Sequence, residues 1–260
     1  MKFKIFQADA FASGLFQGNP AAVVPLTKWL PNETMQKIAL ENNLSETAFF
    51  IPEDDHFNIR WFTPKAEVKL CGHATLATAH VLFNELNFQG ETISFNSQSG
   101  ILTVDKINDK LQLNFPADFA REVEPVSLFA DAFGVQPLAT LKGKTDYLLL
   151  FDSEESIRKI NPDFNVLLES DARGIMVTAK GNEVDFVSRF FAPAVGVNED
   201  PVTGSAHTVL IPFWANRLNK TELTALQLST RGGQLWCTLS GERVLIAGKA
   251  VTYLRGEIEI

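Results

Sequence analysis

Cys71 and His73 stand two residues apart at the front of an apolar run. A thiol beside an imidazole can act as a nucleophile or as an acid–base pair. A buried thiol next to a helix-capping histidine accounts for the same residues, and the spacing leaves both readings open. Further along, Asp200 precedes Ser205 by five residues, close enough for both to face one pocket. Ser205 also suits a helix N-cap, and Glu199 suits a cap or a partner for a helix dipole. Glu46 lies between Ser45 and Thr47 at the entry to an apolar strand. A carboxylate there is ordinarily solvated, but one packed among apolar neighbours is suited to shuttling protons. The four histidines, His56, His73, His80 and His207, form no metal-ligand spacing with each other or with the cysteines, so no metal is expected.

These residues are placed by a unit that the chain writes twice. Arg60-Trp-Phe-Thr-Pro64 is followed by Cys71-Gly-His-Ala-Thr75 and an apolar stretch through Phe83. Arg189-Phe-Phe-Ala-Pro193 is followed by Thr203-Gly-Ser-Ala-His207 and an apolar stretch through Trp214. A strand–Gly–helix unit repeated at long separation predicts two similar halves related by a pseudo-twofold. Each apolar stretch reads as a helix buried on every side. Gly72 and Gly204 would open the two helices and aim their free N–H groups at one cleft, a setting that favours a small anion. Glu46 has no clear partner beside the matching strand of the second half. Arg60 and Arg189 are matched framework positions, expected to pair with backbone or carboxylates. Arg231-Gly232-Gly233 reads as a turn that admits close backbone approach.

The remaining elements follow from periodicity and turn residues. Residues 2–8 and 21–25 read as strands around a turn-rich loop, and a helix opens at Pro31-Asn32 and ends near Asn42-Asn43. Strands are expected over 48–51 and 57–62, then a hairpin of 101–107 and 110–115. In the second half, 174–179 and 183–191 form strands about Gly181-Asn182, and Pro212 interrupts the second apolar helix. The terminal alternation over 252–260 predicts a strand that returns to the first half.

Composition bounds the function. The net charge of −8 argues against nucleic acid and anionic membrane surfaces, and 45% hydrophobic residues with 21 Phe suffice for two cores. No apolar run approaches the roughly 18 residues of a membrane span, and the first residues show no signal-peptide core. Two cysteines, Cys71 and Cys237, make no disulfide framework. The expectation is a cytoplasmic protein acting on a small molecule, with a homodimer as the default assembly.

Four motifs in register carry a more specific resemblance. They are Asp9-Ala-Phe with Gly18-Asn-Pro-Ala-Ala-Val-Val24, Leu44-Ser-Glu-Thr-Ala-Phe49, Phe62-Thr-Pro with Cys71-Gly-His-Ala-Thr75, and Glu199-Asp-Pro-Val-Thr-Gly-Ser-Ala206. Together they resemble the PhzF-like phenazine-biosynthesis isomerases, which share the diaminopimelate epimerase fold. The resemblance implies an α+β protein of two similar domains, each a mostly antiparallel, barrel-like sheet around a central buried helix. The expected domains are 1–116 with the strand 250–260, and 117–249.

The phenazine enzyme moves a hydrogen around a dihydro-hydroxyanthranilate without metal or organic cofactor. By resemblance Glu46 is the proton shuttle, with His73, Asp200 and Ser205 as supporting catalytic residues. Gly72, Gly204, Cys71, Thr203 and Asn19 would bind substrate. The two-thiol epimerases carry a second cysteine where this chain has Thr203, which argues against two-base racemisation. The expected function is therefore proton transfer on a small carboxylate-bearing metabolite. An amino-acid racemase using Cys71 and a non-catalytic binding or interaction protein are the alternatives.

Overall fold

The computed structural model describes all 260 residues and divides them into two compact units. The first comprises Met1–Asn114 with Ala247–Ile260, and the second Phe115–Ile246.

In the first unit, Lys2–Ala10 pairs antiparallel with Asn19–Pro25 on one side and with Ala250–Glu259 on the other. Asn19–Pro25 runs parallel to Glu46–Pro52, which is antiparallel to Phe57–Phe62. Phe57–Phe62 then runs parallel to Thr92–Ser97, followed by antiparallel Gly100–Ile107 and Lys110–Pro116. The strand Thr92–Ser97 was not expected. Only Ile93 and Phe95 of its six residues are buried, and its parallel partner lies some distance back in the chain.

The second unit follows the same programme. Ala139–Lys142 is antiparallel to Asp146–Leu150, which runs parallel to Gly174–Lys180. Gly174–Lys180 is antiparallel to Phe186–Ala192, which begins three residues later than the sequence suggested. Phe186–Ala192 runs parallel to Glu222–Gln227, which pairs antiparallel with Gly233–Ser240. The protein is thus α+β and mostly antiparallel.

Each unit holds one central helix, Gly72–Asn84 or Gly204–Leu218, with apolar residues on nearly every face. Burial of such a helix leaves its side-chain hydroxyls no water, so they bond to the helix itself. Thr75 Oγ1 donates to Cys71 O at 2.6 Å and Thr78 Oγ1 to Ala74 O at 2.7 Å. In the second helix the residue matching Thr75 is His207, whose Nδ1–H donates to Thr203 O at 2.8 Å. Pro212 supplies no N–H, which leaves Thr208 O without its helical donor. The N–H of Asp118, near the start of the same unit, takes that place at 3.0 Å.

The paired strands repeat an electrostatic clamp. Arg60 Nε and Nη2 donate to the two oxygens of Glu67, both at 2.7 Å. Arg189 does the same to Glu199, at 2.7 and 3.0 Å. Glu199 is therefore a clamp residue rather than a helix cap. The two guanidinium groups also lie over Phe62 and Phe191, two residues after each arginine. A bidentate pair on a half-buried sheet face fixes strand register as well as charge.

Those registers identify what stands opposite Glu46 in the repeat. Phe49 faces Arg60 in the first unit and Val177 faces Arg189 in the second. Counting back three residues from each, Glu46 corresponds to Gly174. A Cβ at Gly174 would meet Phe190 Cζ at 2.2 Å, so the second unit has no room for a side chain there.

Two outcomes follow. Gly174→Ala should cost about 1–3 kcal/mol by overpacking, and Phe190→Leu should recover part of that loss; equal losses with and without Phe190→Leu in denaturant melts would contradict the clash. Burial holds His207 neutral, its pKa pushed down to about 4 from 6.5. Between those values the unfolded chain binds a proton that the folded chain refuses. His207 therefore contributes stability above pH 6.5 that is lost as pH falls towards 4, at up to about 1.4 kcal/mol per pH unit. His207→Gln should flatten the stability–pH slope in that window, and an unchanged slope would refute the assignment.

Candidate active site

The loop between the first two strands of the first unit is built to deliver Asn19. Asp9 Oδ2 accepts the Phe16 N–H at 3.2 Å, which folds the loop back on its own strand. Gly18 closes it at φ +66°, where a Cβ would sit 2.1 Å from Ala10 O. Only glycine fits that turn. Asn19 then enters its strand fully buried, with its amide nitrogen 3.2 Å from His73 Nδ1.

Cys71 is the N-cap of the first central helix, and Gly72 and His73 are its first two residues. The His73 ring therefore sits at the positive end of the helix dipole, facing the start of the strand that carries Glu46. His73 Nε2 lies 3.1 Å from Glu46 Oε2. The approach is a close polar contact between two buried atoms that have no other partner. Cys71 Sγ lies 3.6 Å from Nδ1.

The imidazole is thus flanked by a thiol and an amide on one nitrogen and a carboxylate on the other. Burial, and then the Glu46 carboxylate, push the Cys71 thiol up to about 11, so it is a thiol near neutral pH. Burial by itself would lower the His73 pKa; Cys71 and Glu46 oppose it and hold the imidazole well above the ordinary histidine range. With the thiol protonated near pH 7, Glu46 is the partner that matters there. The Asn19 amide, turned by half a rotation, offers Nδ1 a donor or an acceptor, and so suits either protonation state of the ring.

Glu46, Cys71 and His73 present an oxygen, a sulfur and a nitrogen within 4.8 Å, a grouping that the residue spacing did not suggest. His80 takes no part: its ring is half-buried against Thr252 and Asn84.

The second unit carries its own polar cluster at the matching helix start. Thr203 is the N-cap and Gly204 and Ser205 are the first helical residues. Thr203 Oγ1 donates to Asp200 Oδ2 at 2.5 Å. Ser205 is exposed on the first turn and does not cap the helix. A residue that the motifs did not include, Gln227, reaches the cluster from the end of its strand and bonds both Asp200 and Thr203. Its signal in the sequence is a polar side chain on the inward-facing set of Leu223 and Ala225.

Within the first unit the fold therefore gathers Asn19, Glu46, Cys71 and His73 around one ring, with Gly72 adjoining. Within the second it gathers Asp200, Thr203 and Gly204, with Ser205 one residue on. The first group can pass a proton between carboxylate and imidazole. The second presents a carboxylate fixed by a hydroxyl beside free helix N–H groups.

Comparison with known proteins gives a consistent answer. The family model described as phenazine biosynthesis-like protein matches residues 8–256. An uncharacterized isomerase of Pseudomonas aeruginosa is 54% identical, with all of both chains covered. The crystal structure of a PhzF-family phenazine biosynthesis protein from Enterococcus faecalis superposes with a TM-score of 0.98 at 47% identity, again covering both chains fully. A hydroxyproline epimerase from Agrobacterium vitis, solved with trans-4-hydroxy-L-proline bound, is only 12% identical but has a TM-score of 0.63 over 99% of this chain and 91% of its own, which shows a shared fold. This chain belongs to the phenazine biosynthesis-like, or PhzF, family.

Proposed function

We propose that the protein is an isomerase that moves a proton on a small carboxylate-bearing metabolite, held in a cleft between the two units. The observation that carries this reading is the buried contact of Glu46 with His73, at 3.1 Å, in a repeat whose second copy has glycine at the matching position. One unit carries a base and the other has glycine in its place, packed under the Phe190 ring. That asymmetry suits removal and return of a proton on one face of the substrate.

In the proposed cycle Glu46 takes a proton from an activated C–H bond, and the electron pair moves into the substrate's conjugated system. The same carboxyl group then delivers the proton to a different carbon. His73 holds the carboxylate through Nε2 and offsets its charge, with Asn19 and Cys71 fixing the ring at Nδ1. Free N–H groups at Gly72 and Gly204 would receive the substrate carboxylate. Asp200 and Ser205 would hold its amino or hydroxyl substituent, with Thr203 orienting Asp200. Such proton transfer needs only side chains placed within hydrogen-bond reach.

The geometry speaks against Cys71 as a racemase base. Its thiol stays protonated near pH 7, and the residue in the second cysteine position, Thr203, spends its proton on Asp200. The names of the relatives support an isomerase, and a homodimer working in the cytoplasm completes the proposal.

The test is solvent exchange. Small carboxylates, including dihydro-hydroxyanthranilate and α-amino acids, would be incubated with the protein in D2O and followed by NMR for loss of C–H signals. At least one should exchange, and Glu46→Gln should slow it by on the order of 10²–10⁴-fold without unfolding the protein. A fully active Glu46→Gln would sink the proposal. Exchange confined to an α-carbon and abolished by Cys71→Ser would transfer the site to racemase chemistry. No exchange of any compound would point to a binding protein.

A further inference from the structure

Gln227 is 1% exposed at the end of the strand Glu222–Gln227. A buried primary amide is costly unless its donors and acceptor are used. Here they are used on a single loop. Its Oε1 accepts the Thr203 N–H at 2.9 Å, and its Nε2 donates to Asp200 O at 2.8 Å and to Thr203 Oγ1 at 3.1 Å.

The third bond has a directional consequence. A hydroxyl that receives an N–H must turn its own proton elsewhere. For Thr203 that leaves Asp200 Oδ2, 2.5 Å away. The chain Gln227→Thr203→Asp200 thus has one polarity, ending on a carboxylate oxygen, and bonds in such a chain strengthen one another. The loop is stitched further along the same edge, where Ser229 Oγ donates to Pro201 O at 2.8 Å and accepts the Gly232 N–H at 3.0 Å.

The repeat shows that this is not part of the common frame. Asn58 faces Asn96 in the first unit and Val187 faces Leu226 in the second, so Gln227 corresponds to Ser97. The Ser97 hydroxyl merely closes its own hairpin on Gly100 O at 2.8 Å. Gln227 is therefore a departure from the repeat in the second unit, as Glu46 is in the first.

We infer that Gln227 is a positioning residue: it sets the Thr203 hydroxyl as a donor to Asp200, and so fixes the orientation and charge state in which Asp200 meets substrate. The last clause rests on the proposed function; the bond chain does not.

The test reads Asp200 without any substrate. In protein carrying ¹³C-labelled aspartate, the side-chain carboxyl signal of Asp200 is assigned by its loss in Asp200→Asn and followed against pH. Gln227→Leu and Thr203→Val should each move the Asp200 midpoint to higher pH, by about one unit for the loss of a charge-assisted bond. In the Thr203→Val background, Gln227→Leu should add nothing, because its influence passes through the hydroxyl. Gln227→Met removes the donor without adding a charge, so it should give the same rise if Gln227→Leu does not fold. An unmoved midpoint in a folded Gln227 variant, or a shift independent of Thr203, would overturn the inference. Either result stands whether or not the protein exchanges hydrogen with the carboxylates tested above.

Discussion

A carboxylate and an imidazole, packed together with little water, set the terms for everything around them. Glu46 and His73 could not remain where they are unless each were supported, since a buried ionisable group is costly without partners. The support comes from four directions. A helix start lends its positive end to the ring, a glycine-closed loop delivers Asn19, the capping cysteine packs against Nδ1, and pairing with Ala21 of the strand Asn19–Pro25 holds Glu46 at its register. Removing any one leaves the other three holding a charge with less to offset it.

The clamp deserves comparison with the chemistry because it is what the two units share. Arg60–Glu67 and Arg189–Glu199 sit at matching places, each with its guanidinium over an aromatic ring two residues on. Matched clamps give two sheets of the same register and two helices starting at the same height. Against that common frame, Glu46, Gly174, Ser97 and Gln227 are where the halves diverge. Divergence at these points has steric and polar causes that can be named: Phe190 occupies the space over Gly174, and Gln227 answers bonding needs that Ser97 does not have.

Much of this was legible in the residues themselves. The two central helices could be read because they are apolar on all sides, and the strand Phe57–Phe62 because its turn residues and arginine recur at 189. The strand Thr92–Ser97 was not legible, since two buried residues out of six make a faint alternation and its parallel partner is remote. Glu199 invited a local reading as a cap, yet its partner lies ten residues back across a strand pair. Spacing brought Cys71 to His73 in the sequence, but only the folded chain shows that the Glu46 carboxylate joins them within 4.8 Å. Gln227 was missed for a similar reason. One polar residue ending an alternating strand looks like a solvated terminus until its neighbours are known.

Position nine of each central helix, counted from its glycine, carries a different solution to one topological problem. In the second it is Pro212, whose missing N–H frees a carbonyl for the N–H of Asp118 near the start of that unit. In the first it is His80, whose Nε2 meets Thr252 in the strand that returns from the far end of the chain, beside the Glu85–Arg255 pair. A ribosome releases residues in order, so the first unit emerges without the strand Ala250–Glu259 that lies along Lys2–Ala10. The second unit can complete its core while the first still waits for its last strand. Of these two units the one begun first is completed last, and the His80 clasp closes only once Thr252 has been made.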